Sequence, residues 1–141
     1  MKGTTTLTII KPTAMKKHYH TEILREITDY GFNIKALKMI QMTRPQAERF
    51  YEIHKGKPFF QNLVDFMCSG PVIVAILEAR NAVKAYRRFI GATNPEKAED
   101  KTLRHKYGSS LTENAVHGSD SDENAEKEAA FFFSGTEVFD Y

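Results

Sequence analysis

Seven residues near the start of the chain, Thr4 to Ile10, are almost all apolar or β-branched, and Lys11-Pro12 follows. The pattern predicts a strand that ends where proline cannot donate to a ladder. From Thr21 the period changes. Ile23, Ile27 and Tyr30 share one helical face, and Gly31 supplies a stop. Phe32 to Met42 predicts a second strand. Thr43-Arg44-Pro45-Gln46 then opens a helix: Thr43 can cap, Gln46 can reach back, and Pro45 suits the first turn. Ala47, Phe50, Tyr51 and His54 fall on one face of it. A further helix follows Pro58, with Phe60, Leu63, Val64 and Met67 as its stripe, and Ser69-Gly70-Pro71 breaks the chain. Val72 to Leu77 predicts a buried strand. Asn81 can cap the next helix, in which Val83, Tyr86, Phe89 and Ile90 face inward and Lys84, Arg87 and Arg88 outward; Gly91 ends it. Apolar residues are sparse from Gly91 to Glu113, which predicts a long loop, and a compact domain rarely keeps such a loop without a function. Ser121 to Ala129 predicts an acidic helix, and Ala130 to Phe133 a last strand.

Two strand–helix–strand passes with an added helical hairpin imply an α/β (α+β) domain with a four-stranded sheet of the split β-α-β kind. Periodicity alone does not set the strand order. The length, 141 residues, suits one domain with a real core, so 1–141 is expected to be a single unit.

Composition narrows the field. The chain is 41% hydrophobic and 27% charged, as soluble globular proteins are, and its net charge of +2 gives no strong case for nucleic acid or anionic lipid as partner. Cys68 stands alone, which excludes an internal disulfide and zinc sites built on several cysteines. The longest apolar run, Val72 to Leu77, is far short of a membrane span, and a cytoplasmic location is expected.

The candidate chemistry centres on Asn114-Ala115-Val116-His117-Gly118-Ser119-Asp120-Ser121, where a loop meets a helix start that would attract anions. Taken alone, the segment favours the plainer reading of a capped loop with a surface histidine. There is no Gly-rich phosphate loop ending in Lys-Ser/Thr and no protein-kinase signature. His18 and His20 form a His-x-His pair with only Glu22 nearby, and read as surface residues.

The segment Asn114-x-x-His117-Gly118-Ser119-Asp120-Ser121 resembles the active-site signature of nucleoside diphosphate kinases. Other blocks resemble the same family, in order and with matching spacing over nearly the whole chain: Thr8 to Pro12, His54 to Phe60, Phe66 to Val72, Gly91 to Pro95, Thr102 to Arg104 and Ala125 to Glu128. The resemblance implies an antiparallel ferredoxin-like sheet and a ping-pong phosphotransferase acting on Mg²⁺-bound nucleoside di- and triphosphates, in a homo-oligomer (tetramer or hexamer). It implies His117 as nucleophile, with Ser119 and Glu128 orienting its ring. Lys11 would reach the transferring phosphate, and Arg87 and Arg104 the outer phosphates. Tyr51 and His54 would approach the phosphates, Phe59 and Leu111 would sandwich the base, Thr93 would bond a phosphate, and Asn114 the sugar. Asp120 would hold Mg²⁺ through water. Guanidinium suits phosphate oxygens, stacking tolerates any base, and phosphoryl transfer needs alignment and cations more than proton chemistry. Plainer roles stand beside several of these: Tyr51 as core, Glu128 as a solvated helix residue, Asp120 as a cap.

Three positions depart from the family pattern. Thr13 stands where Asp is usual, Lys57 where Arg is usual, and Glu113 where Arg often precedes the Asn of the signature. Thr13 and Lys57 are expected at structural or subunit-contact positions. A non-catalytic ferredoxin-like module would have no use for Lys11, His54, Arg87, Arg104 and His117 together. A metal-dependent hydrolase would need clustered ligands that the chain lacks.

Overall fold

The computed structural model describes residues 3–141; Met1 and Lys2 of the expected unit lie outside it. One antiparallel sheet holds four strands: β1 (Thr5–Ile10), β2 (Asn33–Ile40), β3 (Val72–Glu78) and β4 (Val116–Gly118). Their order across the sheet is β2-β3-β1-β4, the ferredoxin-like arrangement. The helices are α1 (Pro12–Lys16), α2 (His20–Asp29), α3 (Arg44–Phe50), α4 (Phe60–Met67), α5 (Ala82–Ile90), α6 (Leu103–Tyr107) and α7 (Asp122–Phe132). None of the described helices is long and apolar enough to cross a membrane.

Strand alternation divides the core. Leu7, Ile9, Val72, Val74 and Ile76 face one side and pack on Ala47, Phe60, Val64 and Phe132 of α3, α4 and α7. Ile10, Ile73, Ala75, Leu77 and Val116 face the other and pack on Ile23, Ile27, Tyr86, Phe89, Ile90 and Leu103 of α2, α5 and α6.

The capping box of α3 forms as read: Gln46 N–H donates to the Thr43 hydroxyl, and the Thr43 N–H to the Gln46 side chain at 2.8 Å. Gly91 ends α5 at φ 91°, with Thr102 packed where a Cβ would sit.

Other expectations are corrected. Ala130–Phe133 is not a strand: α7 continues to Phe132, because Phe132 and Phe133 are drawn against the sheet beside Phe50. The fourth strand is instead Val116–Gly118, which carries His117. Asn81 makes no side-chain cap; it sits in the left-handed region at φ 51°, and only its carbonyl serves the helix, accepting from Ala85 N–H. The stretch from Gly91 to Glu113 is not all loop, since a 3-10 turn (Pro95–Lys97) and α6 interrupt it. His20 is only half surface: its Nδ1 is shielded, with no partner among the described residues.

Gly118 pairs with Thr8, so its missing side chain faces α5, where a Cβ would lie 2.9 Å from the Tyr86 ring and 3.1 Å from Ile90 Cδ1. Tyr86 is fully buried and shares a 2.6 Å hydrogen bond with Thr8, so it cannot move aside freely. Gly118→Ala is expected to destabilise the fold by about 1–3 kcal/mol through overpacking. Urea unfolding checks this; an unchanged midpoint would show that α5 yields easily.

Candidate active site

His117 lies opposite Ile9 in the β4–β1 ladder, so its side chain leaves the sheet on the α3/α7 face. There the edge of the Phe50 ring meets it, centroids 5.4 Å apart and planes at 73°. His117 Nε2 lies 2.9 Å from Glu128 Oε1. A carboxylate only accepts, so Nε2 carries the hydrogen and Nδ1 keeps its lone pair, with no partner among the described residues. The Ser119 hydroxyl donates to the same Glu128 oxygen at 2.6 Å. Its own oxygen accepts from Leu7 N–H at 3.1 Å, which turns the hydroxyl hydrogen toward Glu128. The ring is thus tied through two side chains to the backbone of β1. Helix α7, capped by Ser121 accepting from Asn124 N–H, brings Glu128 to its place.

Beside the ring opens a cavity of about 460 Å³ lined by Lys11, Arg87 and Arg104. No described carboxylate pairs with any of the three. Lys11 is 7% exposed; its ammonium donates to Asn114 Oδ1 at 2.7 Å and sits 3.5 Å from the Thr112 carbonyl. Burial first, and then the Arg104 charge, lower its pKa from 10.5 to about 7. Arg104 is buried, donates to the Gly91 and Val116 carbonyls at 3.0 Å, and leaves its Nε with no partner among the described residues. Burial and then Arg87 bring its pKa down to about 10. Arg87 reaches the Gly118 carbonyl at 3.5 Å. Uncompensated cations at the edge of a low-dielectric region are costly unless an anion completes them, so the cavity is built for a polyanion.

The rest of the cavity has two characters. The Tyr51 hydroxyl is buried without a partner among the described residues, an orphan donor; burial, and then Glu128, raise its pKa. The His54 ring lies 5.2 Å from that of Phe59; burial first, then Lys57, lower its pKa, against Asp120. Phe59 and Leu111 stand at the cavity 45% and 60% exposed, large apolar groups open to solvent for much of their surface. Thr93 lines the wall, and its carbonyl accepts from Asn114 Nδ2 at 3.0 Å. Asp120 Oδ1 accepts from Asn124 Nδ2 at 2.6 Å. The described residues hold no group of three or more His, Cys, Asp or Glu that could cage a metal.

The fold therefore collects the residues singled out in the sequence. Lys11, Tyr51, His54, Phe59, Arg87, Thr93, Arg104, Leu111, Asn114, His117, Asp120 and Glu128 line one cavity, and Ser119 is buried directly behind it. Lys57, expected at a structural or subunit position, has its Nζ 5.8 Å from the Phe59 ring centroid and 3.4 Å from His54 Nδ1. Phe50 was missed as a site residue because it falls in the apolar stripe of α3, and the Thr112 carbonyl because backbone acceptors leave no mark on composition.

A ferredoxin-like sheet that presents a histidine with one open ring nitrogen, cations without a described carboxylate partner and two exposed apolar groups to one cavity is the architecture of a nucleotide-dependent phosphotransferase. The family model described as nucleoside diphosphate kinase matches residues 4–138. The chain belongs to the nucleoside diphosphate kinase family. A relative of that description from Flavobacterium psychrophilum is 50% identical over 134 residues, 95% of this chain and 96% of the relative. The solved Aquifex aeolicus nucleoside diphosphate kinase superposes with a TM-score of 0.93 at 45% identity, covering 96% of this chain and 98% of that one. A halophilic nucleoside diphosphate kinase from Halobacterium salinarum, solved in complex with CDP, also gives 0.93, at 32% identity over 97% and 91% of the two chains. The activity is that of the family: a nucleotide-binding transferase moves the γ-phosphoryl group of a nucleoside triphosphate to a nucleoside diphosphate by a ping-pong route.

Proposed function

We propose that His117 Nδ1 carries the phosphoryl group between the two nucleotides. The observation behind this reading is the division of labour in the ring: Nε2–H is held by Glu128, and Nδ1 is unbound beside the cation-lined cavity. The Nδ1 lone pair attacks the γ-phosphorus, the bond from phosphorus to the β,γ-bridging oxygen breaks, and the nucleoside diphosphate leaves with those electrons. A second diphosphate reverses the step and takes the phosphoryl group. No proton needs to move. The positive charge that develops on the phosphorylated ring is met by the Glu128 carboxylate, itself held by Ser119. Lys11 and Arg104 hold oxygens of the transferring group, Arg87 the outer phosphates, and the Tyr51 hydroxyl, His54 and Thr93 the remaining oxygens. Asn114 binds the sugar, and the base lies between Phe59 and Leu111.

Divalent-cation dependence is usual for nucleotide kinases; here the ion is Mg²⁺. Of the two cavity carboxylates, Glu128 is engaged by His117 and Ser119, so Asp120 would hold the ion, through water. When bound, it would neutralise charge on the β- and γ-oxygens.

The proposed unit is one domain, 1–141, in a cytoplasmic homo-oligomer, a tetramer or hexamer. Exposed Leu37 and Met39 on edge strand β2 favour a contact with another copy.

Incubation with γ-labelled ATP and Mg²⁺, without acceptor, tests the central reading. Label that is acid-labile, base-stable and discharged by any nucleoside diphosphate is expected; free phosphate released without label on the protein would end it. For the clamp, Phe59→Ala is expected to weaken every nucleotide alike, by about 1–3 kcal/mol. KM values measured with a purine and a pyrimidine diphosphate check this, and a base-selective loss would show that Phe59 reads base identity.

A further inference from the structure

The ammonium of Lys11 is placed by Asn114 Oδ1 and the Thr112 carbonyl, so its position is only as good as that of the segment bearing them. That segment closes on itself: Ser109 N–H and Ser110 N–H donate to the Glu113 carbonyl at 2.8 and 3.3 Å, and Glu113 N–H to the Ser110 hydroxyl at 3.1 Å. It then enters β4 through Ala115, which adopts a left-handed φ of 74° that only glycine takes readily. A self-contained turn followed by a strained residue needs an external tie to hold its register.

One tie crosses exactly one hundred positions of sequence without touching the cavity. The Thr13 hydroxyl, in the first turn of α1, donates to Glu113 Oε1. Thr13 lies two residues after Lys11, and Glu113 immediately before Asn114, so this bond runs alongside the Lys11–Asn114 contact between the same two segments. A second, exposed bond, Lys17 Nζ to the Ser109 hydroxyl at 3.3 Å, joins the same helix and loop. Thr13 and Glu113 are also two of the three positions at which the chain departs from the family pattern. The fold makes them one departure. There a threonine and a glutamate meet as a hydrogen bond.

We propose that Thr13 and Glu113 are a matched positioning pair, which holds the 109–114 loop on α1 and so sets Lys11 and Asn114 for phosphoryl transfer. This rests on the reading of Lys11 given above. Neither side chain touches substrate; each acts through its neighbour.

The test uses the full chain carrying Thr13→Val, Thr13→Ser, Thr13→Asp, and Thr13→Asp combined with Glu113→Arg. Steady-state kcat and KM, single-turnover phosphorylation and the unfolding midpoint are measured for each. Thr13→Val, which keeps the shape and loses the donor, should lower kcat/KM by about 3–10-fold, while Thr13→Ser stays within about twofold. Thr13→Asp, which sets two carboxylates face to face, should lose about tenfold or more, and Glu113→Arg should restore it to within about threefold of the unmodified chain. The proposal is overturned if Thr13→Val matches the unmodified chain, if Thr13→Ser falls as far as Thr13→Val, or if Glu113→Arg rescues nothing. Should Thr13→Asp fail to fold, the valine–serine contrast still decides. An unmodified chain that never becomes phosphorylated would instead remove the catalytic reading, which separates the two failures.

Discussion

His117→Ala is expected to lower kcat by at least about three orders of magnitude, because it removes the ring nitrogen left open beside the cations, whereas the other cavity imidazole, His54, packs on Phe59 with its Nδ1 toward Lys57. Nucleotide affinity should change little, since Lys11, Arg87, Arg104 and the Phe59–Leu111 clamp are untouched. The protein should take no acid-labile label from γ-labelled ATP. Stability should fall modestly, since a ring 19% exposed is removed from its contact with Phe50 and Glu128 loses one of its two partners. Rapid-quench phosphorylation with equilibrium nucleotide binding measures all of this. A variant that keeps a tenth of the turnover would place the nucleophile elsewhere.

The second large effect concerns Lys11. Lys11→Met preserves the stem and removes the charge, and is expected to cost about two orders of magnitude or more in kcat/KM, as loss of a buried donor to the transferring group does. The same residue makes a pH prediction with a definite sign. The folded pKa of Lys11 is about 7 against an ordinary 10.5. Between these values the unfolded chain holds a proton that the folded chain does not, so stability from this group rises with pH across the window and is lost as pH falls toward 7. Between pH 7 and 9 the unfolding free energy of the nucleotide-free protein should climb more steeply than that of Lys11→Met. Bound phosphates return the counter-charge and raise the Lys11 pKa, so nucleotide binding at pH 8 to 9 should draw a proton from solution. Calorimetry in buffers of different ionisation enthalpy reads that uptake. Equal slopes for both proteins, with no uptake, would show that the lysine is charged in the free state.

The sequence made some elements legible and hid others for identifiable reasons. The start of α3 could be read because its cap is chemical: Thr43, Pro45 and Gln46 each state a role. Strand β3, buried on both faces, announces itself as an unbroken apolar run. By contrast β4 is three residues long and includes a glycine, so nothing in its local pattern marks a strand; pairing with β1 alone creates it. The Ala-Ala-Phe-Phe-Phe run invites a strand, yet no polar residue interrupts it to reveal the period, and tertiary packing keeps it helical through Phe132. Helix α1 was hidden behind Pro12, which ends β1 and serves equally as a first helical residue. The residues that the fold gathers around one cavity could be singled out beforehand because family likeness attaches to side chains. What it could not supply is the burial of Arg104, whose charge looks like any surface arginine in sequence.

The ring of His117 and its supports come from β4, β1 and α7, while the groups that would grip the base and sugar come from the segments around Phe59, Leu111 and Thr93. The ring is held by side-chain bonds through Glu128 of α7 and Ser119, next after β4, to the backbone of β1, and none of these bonds involves Phe59, Leu111 or Thr93. If His117 stores the phosphoryl group as proposed, its supports are not those that grip the base, so they need not be broken when one nucleotide replaces another.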